Sequence, residues 1–379
     1  MQIGVPNQVS AVERRVAITP DVAARLAKQE LFSVSVESGA GTSAGFPDRL
    51  FEEAGATITD RSTAWGAELV VCLSAPTDYQ IGLLQRGGIL LGLLEPLDQP
   101  QLAEALASAG VTSLAFETLP RTTRAQPMDV LSSQATAAGY QAVLIAAASH
   151  GKFFPMLTTA AGTIRPTKAL VLGAGVAGLQ AIATAKRLGA IVSAYDVRAA
   201  AAEQVESLGA RFVHLEIEQQ DETKTGGYAR ELEADAQARL LLQLGEHIAR
   251  NDVVISTAAI PGRKAPLLIT RPMVENMAPG SVIVDLAVAT GGNCELSKAD
   301  EQVNHNGVTI LAPTDLVSGV ATHASQMYAR NASAVLIHLL QEEGVVIDFD
   351  DEITAGLCIT HQGRIVNERV KSMLEGESG

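Results

Sequence analysis

Short, continuous runs of β-branched and aliphatic residues alternate with Ala/Leu-rich stretches along almost the whole chain, and that rhythm limits the fold more than any single motif does. Several of these runs are apolar throughout, which marks strands covered on both faces, as in a parallel sheet with crossover helices above and below. A first series comprises Ile3–Pro6, Ser33–Glu37, Thr57–Thr59, Leu69–Leu73, Ile89–Leu93 and Thr112–Phe116. A second comprises Ala169–Leu172, Ile191–Tyr195, Arg211–Val213, Val253–Thr257, Val282–Leu286 and Val308–Leu311. With helices supplying the βαβ connections, the prediction is an α/β fold of two doubly wound domains with a cleft between them, linked by long helices. One linking helix starts near Ser132, with Ser132 or Ser133 as its N-cap, and another runs from about 321 to 342 and crosses back. The expected division is 1–134 plus about 343–379 for the first domain and 135–342 for the second.

Composition narrows the function classes. The chain has 379 residues, enough for two or three domains at about 100–200 residues each. With 47% apolar and 18% charged residues it is not a disordered chain. Lys and Arg number 28 against 42 Asp and Glu, a formal charge of −14, which argues against a nucleic-acid partner. Cys72, Cys294 and Cys358 are scattered without a CxxC, so neither a disulfide framework nor a metal knot is indicated, and a reducing, cytoplasmic setting fits. The longest nearly apolar run, Ala135–Ser149, falls short of the 18 or so residues that a spanning helix needs. The N-terminus lacks the profile of a secretory signal. Seven histidines show no ligand-like spacing, and no metal site is expected.

The strongest local signal is Lys168-Ala-Leu-Val-Leu-Gly173-Ala174-Gly175-Val176-Ala-Gly178, a GxGxxG between an apolar strand and a helix that ends at Gly189. In a Rossmann-like unit the first glycine allows the tight turn, the second lets backbone approach a pyrophosphate, and the third lets helix and strand pack closely. The helix N-terminus offers free N–H groups and partial positive charge to that anion. Asp196 closes the next strand about 20 residues on, where an acid accepts hydrogen bonds from a ribose 2′-hydroxyl and repels a 2′-phosphate. That favours NAD over NADP. Arg198 is the complication, either pairing with a 2′-phosphate or lying near the adenine or pyrophosphate, with Val197 between the two.

A second polar cluster lies just ahead of the interdomain helix: Arg121, Arg124, Gln126, Asp129, Ser132, Ser133 and Gln134 within the stretch Pro120–Gln134. It follows the Thr112–Phe116 strand, at the carboxyl end where open α/β sheets bind ligands. An arginine, an amide and a carboxylate together can hold a carboxamide and a ribose. The alternative is a capped loop with local Arg–Asp pairing. Residues 216–235 break the βα rhythm with seven acids, two bases and the pair Gly226-Gly227, so they read as either a lid or a solvated loop.

Taken together, Ala160–Thr163, Gly173–Gly189, Asp196-Val-Arg198, Glu203–Gly209, Gly226-Gly-Tyr228-Ala, Ile260-Pro-Gly262, Asp285-Leu-Ala, Gly291-Gly-Asn-Cys-Glu295 and Arg124–Gln134 resemble the NAD(H)-binding alpha subunit family of proton-translocating NAD(P) transhydrogenases. The resemblance extends to Asp351–Thr360 and so covers nearly the whole chain; alanine dehydrogenases are related. It implies an NAD(H)-binding domain at the cytoplasmic face of the inner membrane. Hydride is exchanged with NADP(H) on a partner, and a separate membrane chain couples the exchange to proton flow. A homodimer is implied as well. Carried over, Arg121, Gln126 and Asp129 surround the nicotinamide and its ribose, with Ser132 and Ser133 nearby. Gly173, Ala174, Gly175, Val176 and Gly178 hold pyrophosphate, and Asp196, Val197 and Arg198 the adenosine end. Gly227 and Tyr228 belong to a loop that closes over the nucleotide, with Arg121, Gln126, Asp129 and Tyr228 as the catalytic set. Ala258-Ala259 departs from the family's Ala-Leu and leaves less apolar cover for adenine. The stretch from Leu232 to Leu240 also departs.

Two other readings compete: a self-contained amino-acid dehydrogenase and a non-catalytic NAD-binding regulator. Alanine dehydrogenases carry a lysine on the strand matching Leu69–Leu73 and a histidine on that matching Ile89–Leu93, whereas this chain has Val70-Val-Cys-Leu-Ser74 and Leu90-Leu-Gly-Leu-Leu94. Oxidising an amine to an imine needs a general acid/base. Exchange between two nicotinamides does not.

Overall fold

The computed structural model describes residues 1–29, 31–215, 234–259, 263–342 and 344–376, and every strand read from an apolar run is present with its ends shifted by at most two residues. The chain forms two units, residues 1–134 with 317–379, and residues 135–316.

The first unit holds an eight-stranded sheet in the order Arg364–Ile365, Cys358–His361, Thr112–Ala115, Ile89–Gly92, Leu69–Val71, Gln2–Val5, Ser33–Glu37, Thr57–Thr59. The six N-terminal strands are parallel, and the two C-terminal ones add an antiparallel edge. Strand order reverses at Gln2–Val5, which pairs with Ser33–Glu37 on one side and Leu69–Val71 on the other. Apolar cores cover both faces, one around Ile3, Val36 and Leu91, the other around Trp65, Val70 and Leu90. Burial on both faces is why inner strands such as Leu69–Val71 and Ile89–Gly92 lack a polar alternation.

Helix Ala321–Leu339 belongs to this unit, not to the second as the expected boundary near 342 had it. Its Tyr328, Ala332, Val335 and Leu336 sink into the core beside Ile3 and Leu91. An apolar helical stripe shows that a helix is covered, but not which sheet covers it.

The second unit carries seven strands in the order Arg211–Phe212, Ile191–Tyr195, Lys168–Leu172, Val253–Ser256, Val282–Asp285, Val308–Leu311, Gln302–His305. Only the last pairing is antiparallel. The order reverses between Lys168–Leu172 and Val253–Ser256, the switch point at whose carboxyl end such sheets bind ligands.

Helix Val130–Ser149 starts ahead of the expected serine cap. Asp129 does the capping: its Oδ1 accepts the Ser132 N–H at 2.9 Å and its Oδ2 the Ser132 hydroxyl at 2.5 Å. A carboxylate accepts with both oxygens and its charge suits a helix N-terminus, so it takes the role from the serines. Further along, a Cβ on Gly139 would lie 2.1 Å from Ala177 O, so the bare glycine lets this helix press on the first turn of helix Val176–Arg187. Among the described residues, no helix is long and apolar enough to cross a membrane.

Candidate functional site

In the second unit the glycine turn is built at the switch point. Gly173 has φ +96°, where a side chain is strained, and its N–H donates to Tyr195 O at 2.8 Å. Added side chains would meet three different fates. A Cβ on Gly178 would sit 1.9 Å from Gly173 O, and one on Gly173 would sit 2.8 Å from Thr257 Oγ1. On Gly175, the N-cap of helix Val176–Arg187, nothing lies within 4 Å. Packing therefore requires Gly178 and backbone geometry requires Gly173, while Gly175 leaves a bare ledge at the helix start, suited to an anion. Ala174 is buried and Val176 is exposed beside that ledge.

Asp196 is 8% exposed, and each of its oxygens accepts hydrogen bonds. Oδ2 accepts the Ala174 N–H at 2.7 Å and Arg198 Nη2 at 3.0 Å; Oδ1 accepts the Arg198 N–H and Nε, both at 2.9 Å. The acid thus ties the glycine turn to the end of the neighbouring strand, and the arginine is folded onto it. Val197 lies half-buried between them.

Behind the turn stands a network around Asp285 and Asn293, which the sequence marked only as members of the stretches Asp285-Leu-Ala and Gly291–Glu295 and not by their contacts. Thr257 Oγ1 donates to Gly173 O at 3.1 Å. Asn293, fully buried, brackets the next residue: Oδ1 accepts the Ala258 N–H at 3.1 Å and Nδ2 donates to Ala258 O and Pro266 O, each at 2.8 Å. Asp285, also fully buried, accepts from the backbone of Ala287, Asn293 and Cys294 and from the Ser256 and Ser297 hydroxyls, at 2.7–3.2 Å. Ala259 stays exposed at the end of this turn. Gly227 and Tyr228, with the rest of 216–233, lie outside the described residues, as do residues 260–262.

In the first unit, Thr112–Ala115 leads through a short turn into the 3₁₀ helix Thr123–Met128 and then into the Asp129 cap. Arg121, Arg124 and Gln126 are exposed, and among the described residues the Gln126 amide makes no hydrogen bond. Arg124 pairs with a distant carboxylate, Nη2 donating to Asp351 Oδ1 at 2.9 Å. Asp351 also accepts the Thr354 N–H at 3.0 Å and faces His338 Nε2 at 2.8 Å. Burial pushes its carboxyl up, but the hydrogen bonds from Thr354, His338 and Arg124 outweigh that and hold it well below the usual range. Ser132 is spent on Asp129, and the Ser133 hydroxyl donates to Asn331 Oδ1 at 2.7 Å. Asn331, which the sequence did not single out, donates from Nδ2 to Pro127 O at 2.7 Å.

The strand ends that would carry acid–base chemistry in an amine oxidation are apolar. Leu69–Val71 runs into buried Cys72 and Leu73, and Ile89–Gly92 into Leu93 and buried Leu94. Gln8 finishes that edge, accepting the Leu73 N–H at 2.6 Å and donating to Ser74 O at 3.1 Å. Glu95, at φ +51°, donates its N–H to Glu117 Oε1 at 2.8 Å. Burial, with the Glu95 charge adding to it, pushes the Glu117 carboxyl upward.

The family models described as Alanine dehydrogenase/PNT, N-terminal domain and Alanine dehydrogenase/PNT, C-terminal domain match residues 4–138 and 142–368. An NAD(P) transhydrogenase subunit alpha polypeptide of Rhodospirillum rubrum is 42% identical over 378 residues, covering 97% of this chain and 98% of that protein. An alanine dehydrogenase of Halomonas elongata is 31% identical, covering 98% and 96%. The crystal structure of transhydrogenase from Sinorhizobium meliloti matches with a TM-score of 0.85 at 39% identity, over 97% of this chain and 99% of that one.

Proposed function

The chain belongs to the alanine dehydrogenase/PNT family, and within it we propose that it is the NAD(H)-binding component of a transhydrogenase. Hydride passes between NAD(H) on this chain and NADP(H) on a partner subunit, and a membrane subunit couples that exchange to proton translocation. The observation that carries the choice is the absence of a lysine or histidine on the ends of Leu69–Val71 and Ile89–Gly92, where Cys72, Leu73 and Leu94 are buried and Gln8 caps the edge. Greater identity to the transhydrogenase subunit than to the alanine dehydrogenase supports the same choice.

The residues fit the dinucleotide. Gly175 leaves the space that a Cβ would fill, at the start of a 12-residue helix whose first N–H groups suit a pyrophosphate. Asp196, an acceptor on both oxygens, suits a ribose diol and disfavours a 2′-phosphate. Bound NAD(H) supplies the carbon that gives or takes hydride. Arg121, Gln126 and Asp129, with Ser132, orient the nicotinamide end, the exposed and uncommitted Gln126 amide being suited to a carboxamide or ribose hydroxyl. No proton moves at the reacting carbon, so positioning is the whole task of this chain's side chains.

The test is a titration of the purified chain with NADH and NADPH, followed by reduction of an NAD analogue by NADPH with and without the NADP-binding partner. Tighter NADH binding and exchange that depends on the partner are expected. Robust oxidation of alanine by the chain alone would overturn the reading in favour of a dehydrogenase.

A further inference from the structure

We infer that Asn331 is a positioning residue for hydride transfer, holding in place the turn that carries Gln126. The inference rests on the reading that Gln126 faces the nicotinamide. Gln126 sits on the 3₁₀ helix Thr123–Met128, with Pro127 immediately after it. Such short helices have poor internal hydrogen-bond geometry, and proline removes a donor, so outside contacts set where the side chain points. One carboxamide supplies them. Asn331 Nδ2 donates to Pro127 O at 2.7 Å, and its Oδ1 accepts the Ser133 hydroxyl at 2.7 Å. Both ends of the 126–133 corner are thereby fastened to one side chain.

The backing is rigid. Asn331 lies on helix Ala321–Leu339, whose Tyr328, Ala332 and Val335 are fully buried. The same helix takes a third bond from this stretch, Gln134 Nε2 to Ala324 O at 3.1 Å, while Gln134 Oε1 accepts Arg15 Nη1 at 2.8 Å. Upstream of Gln126, Arg124 ties to Asp351, but the arginine is 63% exposed and such a pair is worth little. Asn331 uses a donor and an acceptor at once, which neither aspartate nor alanine can do.

The experiment is a double-substitution cycle in the chain mixed with its NADP-binding partner, reading kcat for NADPH-driven reduction of an NAD analogue and, separately, NADH binding by fluorescence titration. Asn331→Ala is expected to lower kcat about tenfold, within the loss that a misplacement of about 1 Å produces. NADH affinity should stay within about twofold, since the pyrophosphate turn is untouched. In the Gln126→Ala background Asn331→Ala should add almost nothing, because its effect passes through Gln126. The near-isosteric Asn331→Asp keeps the acceptor for Ser133 but not the donor for Pro127, and should also lose activity. It covers the case in which the alanine variant does not fold. Full activity of Asn331→Asp, an equal loss in both backgrounds, or a loss confined to affinity would each overturn the inference. If Gln126→Ala alone left exchange unchanged, the placement of Gln126 would fail first and take the inference with it.

Discussion

The Arg198 guanidinium closes on the Asp196 carboxylate with two nitrogens, Nε to Oδ1 at 2.9 Å and Nη2 to Oδ2 at 3.0 Å. On the proposed reading, selectivity between the two nicotinamide nucleotides rests on that pair. With the acid present, the arginine's charge is spent before any 2′-phosphate arrives. Asp196→Asn keeps the shape and an oxygen for the Ala174 N–H but removes the charge that holds the arginine. NADH binding should weaken by about 1.5 kcal/mol, roughly tenfold, as a charge-assisted bond becomes a neutral one. NADPH binding should strengthen, because Arg198 is released. Titrations of both nucleotides measure it, and an unchanged NADPH affinity would mean that the arginine has no part in selectivity.

Gly175 and Gly178 separate binding from folding. A Cβ on Gly175 enters open space, so Gly175→Ala should leave the melting temperature nearly unchanged while weakening NADH by blocking the ledge. A Cβ on Gly178 lands 1.9 Å from the Gly173 carbonyl, and Gly178→Ala should cost about 1–3 kcal/mol of stability as the helix is forced off the strand. Thermal melts beside NADH titrations check both, and equal melting temperatures for the two variants would contradict the assignment of roles.

Strands inside the two sheets were legible because burial favours β-branched and aliphatic residues: Ser33–Glu37, Ile191–Tyr195 and Val308–Leu311 have the same bounds in sequence and structure. Of the edge strands, Thr57–Thr59 and Arg211–Phe212 were read too, but Gln302–His305 and Arg364–Ile365 were not, since a half-exposed strand such as Gln302–His305 is polar. Two signals for them were nonetheless available. Asn306-Gly307 and Gln362-Gly363 are two-residue turns with positive φ at both positions, the hairpin geometry that joins Gln302–His305 to Val308–Leu311 and Cys358–His361 to Arg364–Ile365. The glycine turn and Asp196 could be read because their spacing is local. Asn331 could not: its partners Pro127 and Ser133 lie about two hundred residues earlier, and an asparagine in mid-helix carries no local sign of them. Asn293 and Asp285 lie in stretches that the resemblance picked out, but their action, mostly on backbone groups, is recorded by no side-chain pattern.

Asn293 should be a stability residue of the second unit. Its three bonds reach the Ala258 N–H, Ala258 O and Pro266 O from a fully buried position. Asn293→Ala removes all three at once, and at about 1 kcal/mol net per bond the loss is about 3 kcal/mol. Urea unfolding followed by far-UV circular dichroism measures it. A loss under about 0.5 kcal/mol, the size of an ordinary surface substitution, would show that the 257–259 turn holds itself in place.

Glu117 gives the chain a pH dependence of known sign. Oε1 accepts the Glu95 N–H at 2.8 Å, but Oε2 is sealed from solvent and has no hydrogen bond among the described residues. Burial first, with the neighbouring Glu95 charge, raises the folded-state pKa above the ordinary glutamate value. Between those two values the folded chain keeps a proton that the unfolded chain has released. Stability therefore falls as pH climbs through that window, and levels off above it. Glu117→Gln is neutral at every pH and can still accept the Glu95 N–H, so it should gain on the natural chain as pH rises from the acid side of the window to neutrality. Trp65, the single tryptophan, is fully buried in the same unit and reports its unfolding by fluorescence. Urea titrations of both chains across that range give the comparison. If the difference between them stays flat with pH, the Glu117 carboxyl is not held neutral by its surroundings. If it shrinks as pH rises, the group is stabilised as a charge and the dependence has the opposite sign.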